Sequence, residues 1–110
     1  MWILSQQGFY SVVSKPWNRD QETLTIRSRV RSDLESLSDY LPDMGSIIES
    51  TDSDYRFRTV AAQQATANAI AKLVAQIDYD NFKAQIGIES RQRASIYGNV
   101  WANLLKLETL

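Results

Sequence analysis

The sequence predicts an α+β domain, and three observations predict it. Residues 23–30, TLTIRSRV, alternate apolar and polar side chains with a period of two, the pattern of a strand with one buried face. The period then changes. Leu34, Leu37 and Leu41 recur at helical spacing, and Ser32 with Glu35 reads as an S-x-x-E capping box. A second change follows residue 60, where alternating YRFRTV gives way to an alanine-rich helical stretch.

The elements follow in order. Residues 1–15 read as strand: Trp2 and Leu4 alternate with Ile3, and Phe9, Ser11 and Val13 alternate with Tyr10 and Val12. Gly8 marks either a bulge in one long strand or the break between two short ones. SKPWNRDQE (14–22) is a turn cluster leading into the strand at 23–30. The first helix is expected at about 33–40, ended by Pro42 and Gly45. Ile47 and Ile48 open a short strand to residue 50. A polar turn at Thr51, Asp52 and Ser53 pairs it with the strand at 55–60.

In the alanine-rich helix, Ala65, Ala69, Ile70, Leu73, Val74 and Ile77 share one face. Residues 78–87 read as a short helix or ordered loop anchored by Tyr79, Phe82 and Ile86, and 89–94 as a linker or helix start. The last helix carries an apolar stripe of Tyr97, Val100, Trp101, Leu104 and Leu105 or Leu107, weakened by Gly98. The order ββαββα plus a C-terminal helix is that of a ferredoxin-like α/β sandwich, circularly permuted so that its last strand stands first. The chain is read as one domain, 1–110, with both main helices on one sheet face.

Composition excludes several chemistries. The 110 residues contain no Cys and no His. Disulfides, thiolate metal sites, Cys nucleophiles, Ser-His-Asp triads and His-ligated zinc are therefore absent from this chain. The net charge of −1 gives no global field toward nucleic acid or acidic lipid, so a basic site must be local. Apolar runs are too short for a transmembrane helix. MWILSQQGF lacks the basic and long apolar regions of a signal peptide, so a cytoplasmic location and no membrane partner are expected. No GxGxxG, Walker A or GxSxG motif occurs, and no cofactor is expected.

Three candidate surfaces remain. Alternation puts Arg27 and Arg29 opposite Leu24, Ile26 and Val30, and puts Arg56 and Arg58 opposite Tyr55 and Phe57. If the two faces coincide, four arginines line an open sheet with Tyr10 beside them. Such a face recognises phosphate or carboxylate, and neighbouring aromatics stack on bases. Solvated or ion-paired arginines are the alternative. The second surface is the stripe of Tyr97, Val100, Trp101 and Leu104, which either packs on its own sheet or forms an interface with a protein partner or second copy. Third, Asp52 and Asp54, and Asp78 and Asp80, are spaced as paired carboxylates, though cap and turn roles fit them as well.

Five strings, GFYSVV (8–13), IRSRVRSDLESL (26–37), SDYRFR (53–58), IDYDNFK (77–83) and YGNVW (97–101), together resemble a family of small bacterial proteins of unknown function. The resemblance implies a single domain in a bacterial cytoplasm and transfers no activity, substrate or site residue. The expected role is a non-catalytic protein-interaction or binding module, with a homodimer as its expected assembly. Its first alternative is a nucleic-acid- or anion-binding domain using the arginine face. Its second is a small-ligand-binding domain or enzyme built on Tyr10, Arg56 and a carboxylate.

Overall fold

Ser5 and Gly8 close the first turn, the Ser5 amide donating to the Gly8 carbonyl at 2.9 Å. Gly8 thus separates two short strands, β1 (Trp2–Leu4) and β2 (Phe9–Val13). The computed structural model describes all 110 residues. They fall into two compact units, Met1–Ile77 and Asp78–Leu110.

In the first unit the turn cluster after β2 contains a single helical turn, α1 (Pro16–Arg19), with proline at its start, where no backbone N–H is needed. Asn18 is buried and organises this turn. Its Oδ1 accepts from the Lys15 amide at 2.9 Å and the Thr25 hydroxyl at 2.7 Å. Strand β3 (Thr23–Ser28) follows, then helix α2 (Arg31–Ser38), strands β4 (Ile48–Glu49) and β5 (Phe57–Ala62), and helix α3 (Gln63–Ala75). The sheet order is β1-β2-β3-β5-β4, and every pairing is antiparallel.

The core lies on one sheet face. Tyr10, Val12, Ile26 and Ala61 point there and meet Leu34, Leu37 and Leu41 from α2 and its end, and Ala69 from α3. Helix α3 buries Thr66, Ala69 and Leu73, whereas Val74 and Ile77 are exposed. Its apolar stripe is therefore narrower than the sequence spacing suggests. The expected capping box also differs. Helix α2 begins two residues earlier, after Val30, with no side-chain cap. Ser28 Oγ bonds both backbone groups of Val30 instead, and Glu35 pairs with Arg31 at 2.9 Å. Starting the helix at Arg31 places Arg31 and Glu35 one turn apart, where opposite charges attract.

The second unit is helical: α4 (Phe82–Glu89), α5 (Arg91–Leu104) and a closing 3-10 turn over Leu105–Thr109. Ser90 alone joins the two helices and caps α5, accepting from the Arg93 amide at 3.1 Å. Asn81, rather than Asp78 or Asp80, caps α4. Phe82 stacks on Tyr97 at 5.7 Å between ring centroids, and Tyr79 leans on Phe82 at 5.9 Å. No helix of the chain is long and apolar enough to cross a membrane.

Candidate functional site

The sheet face opposite α2 and α3 carries two arginines in a row that crosses the sheet, among largely apolar neighbours. Register places Trp2, Ser11, Arg27, Arg58 and Ile48 in one row across β1, β2, β3, β5 and β4. Arg27 and Arg58 are therefore direct cross-strand partners. Like charges so placed repel unless a carboxylate stands between them. None lies within ion-pair distance here. Arg31 pairs with Glu35 and Arg56 with Glu49 instead.

Hydroxyls and a ring hold these arginines. Arg27 Nη2 donates to Ser11 Oγ at 2.7 Å, and Arg58 Nη2 donates to Ser53 Oγ. The Nε atoms of both are buried without a hydrogen-bond partner. The Arg27 and Arg29 guanidinium groups lie over the Tyr55 ring, 4.5 and 4.8 Å from its centroid. A cation–π contact stabilises a cation without neutralising it. The aromatic series continues outward: Phe9 lies 6.4 Å from Tyr55, and Trp2 meets Phe9 edge to face at 6.0 Å. Trp2 is 68% exposed.

Tyr55 sits on the side opposite to that expected. Alternation assigned it away from Arg58, but β5 begins only at Phe57 and the preceding residues bend. Parity counted back from a strand loses meaning once the ladder ends. Arg56 does not join the arginine row: it is exposed and bonded to Glu49 at 2.7 Å. Tyr10 is on the other face, buried, with its hydroxyl donating to the Asp33 carbonyl at 2.8 Å. Tyr10 and Arg56 thus have separate surroundings and form no common pocket with a carboxylate.

Sequence reasoning missed Trp2, Phe9, Ser11 and Ser53 as neighbours of the arginines. A readable signal existed for two of them. Once Ser5 and Gly8 are taken as a hairpin turn, Trp2 falls opposite Ser11. Of the apolar stripe, Tyr97 is buried and Val100 half-buried, while Trp101 and Leu104 are each 54% exposed. Lys83 Nζ lies 4.1 Å from the centre of a Trp101 ring. Asp52 and Asp54 are exposed in the bend, Asp54 beside Ser53 Oγ at 3.4 Å. No group of three or more Asp and Glu side chains converges as a metal site would need.

Fold and site together define an α+β chain with a cationic sheet face edged by aromatic rings. No family model, curated protein or solved structure matches it, so the resemblance to small bacterial proteins rests on the five strings alone.

Proposed function

We propose that the chain is a non-catalytic binding module that takes an anionic ligand on Arg27, Arg29 and Arg58. One observation carries the reading: Arg27 and Arg58 are register partners with no carboxylate between them, each with a buried, unpartnered Nε. That arrangement costs stability in the unliganded chain. A local rule broken in this way is the kind of departure proteins make at functional sites. A phosphate or carboxylate would supply the missing charge and accept from the terminal guanidinium nitrogens, the Nε atoms being buried beneath them.

Fold organisation supports a binding role by analogy only. Strands β3 and β4 flank β5, and α2 connects them, which is the pattern of a split β-α-β unit. The series β2-β3-α2-β4-β5-α3 fits a ferredoxin-like sandwich with its last strand moved to the front, β1 adding an edge.

The test is a thermal melt of the full chain with inorganic polyphosphate, against chloride of equal ionic strength. A ligand of the folded state raises Tm by mass action. The rise should vanish in the Arg27→Gln, Arg58→Gln double variant. Equal rises in both proteins would remove the arginine face from consideration.

A second reading pairs two copies through α5 and the residues after it. Trp101, Leu104 and Leu107, each more than half exposed, support it. Light scattering over a range of concentrations tests it: a dimer lost in Trp101→Ala would favour it, and a monomer at every concentration would end it.

A further inference from the structure

We infer that the anionic ligand is a single-stranded nucleic acid, lying across the strands from Trp2 toward Arg58. This rests on the anion-binding reading above and adds the ligand class. The row of Trp2, Ser11, Arg27 and Arg58 crosses four adjacent strands. Neighbouring strands are about 4.8 Å apart, so the row is about 14 Å long. That is too long for one phosphate ion and suits a base with the phosphates beside it.

The row is chemically graded. One end is the exposed indole of Trp2, braced edge-on by Phe9. The other end is the pair of arginines, with Arg29 beside them over Tyr55. A lone inorganic anion would use only the arginines. An alternating polymer of flat rings and phosphates uses both ends, since bases stack on aromatic side chains while guanidinium groups take the backbone. A duplex hides its base faces, so the ligand is single-stranded.

Base identity should matter little. The strand register places no Asn or Gln on this face to pair with a base edge, and Arg27 and Arg58, which could read guanine, each already spend one terminal nitrogen on a serine hydroxyl and are assigned here to the backbone. Binding through stacking and backbone charge is tolerant of sequence.

The experiment is fluorescence anisotropy of the full chain with a labelled oligothymidylate of about 12 nucleotides, within the usual range of single-strand sites. Inorganic polyphosphate, a DNA duplex and an oligoglutamate peptide serve as competitors. The oligothymidylate should bind and resist displacement by duplex. Trp2→Ala should weaken it about tenfold, Trp2→Phe should restore most of the loss, and neither should change polyphosphate binding. Arg27→Gln with Arg58→Gln should weaken both ligands. Polyphosphate binding with no preference for oligothymidylate would overturn the nucleic-acid inference and leave the anion site standing, as would an unchanged affinity in Trp2→Ala. Stronger binding of the oligoglutamate would replace the ligand class with an acidic peptide. Binding of neither anionic polymer would overturn both readings.

Discussion

Asp33 ties the first hairpin to the first long helix. Its carboxylate accepts from the Phe9 amide at 3.0 Å, and its carbonyl accepts the Tyr10 hydroxyl at 2.8 Å. Gly8 makes the approach possible, because a Cβ there would stand 2.6 Å from Asp33 Cγ and 2.9 Å from the Tyr10 hydroxyl oxygen. Those distances are inside van der Waals contact, and Asp33 is buried with little room to retreat. Gly8→Ala should therefore destabilise the fold by about 1–3 kcal/mol, the usual range for overpacking. Urea denaturation measures it, and an unchanged midpoint would mean that Asp33 yields without cost. The sequence marked Gly8 as special without revealing why. Its role depends on Asp33, 25 positions away in the chain, and no local pattern encodes that contact.

At the level of strands and helices, the pairing of β3 with β5 sets the chemistry. Alternation within each strand placed Arg27 and Arg58 on faces, but only the register makes them partners. Arg58→Met keeps the aliphatic stem and removes the like charge and the orphaned Nε. The variant should be more stable than the parent by about 0.2–1 kcal/mol at low salt, the scale of a cross-strand pair, while losing affinity for polyphosphate. A fall in stability would instead mean that the bonds of Arg58 to Ser53 and Tyr55 outweigh its repulsion from Arg27. Helix α5 gives a simpler case. Nothing lies within 4 Å of a Cβ added at Gly98, so Gly98→Ala meets no clash and removes backbone entropy from the unfolded chain. A gain of about 0.5–1 kcal/mol is expected, read as a shift in the urea midpoint. The start of this helix was ambiguous in the sequence because Arg91, Gln92 and Arg93 carry no apolar period. The Ser90 cap was the available mark.

Across the whole chain, the elements other than the single-turn α1 were legible and their meeting points were not. Period changes located the main strands and helices to within a few residues, because each amphipathic face leaves a repeating mark. Coincidence of the arginine faces depended on turn lengths, and the place of Tyr55 depended on where β5 stops. The net charge of −1 now becomes a constraint on binding. No broad field draws an anion in, so the electrostatics of binding should be confined to the local arginines. With Arg27, Arg29 and Arg58 each neutralising one phosphate, log K for a single strand should fall with log salt at a slope of about −2, from roughly 0.7 released counterions per contact. Anisotropy titrations between about 50 and 200 mM salt measure this slope. Replacing Arg29 with Gln should flatten it by about 0.7, whereas replacing the ion-paired Arg56 should leave it nearly unchanged. A slope near zero would mean that contact is made without the guanidinium groups. A slope twice as steep would extend the site to cations outside this row. Pairing of two copies through Trp101 and Leu104 buries apolar surface and releases few ions, so it should persist across the same salt range in which the anion is lost.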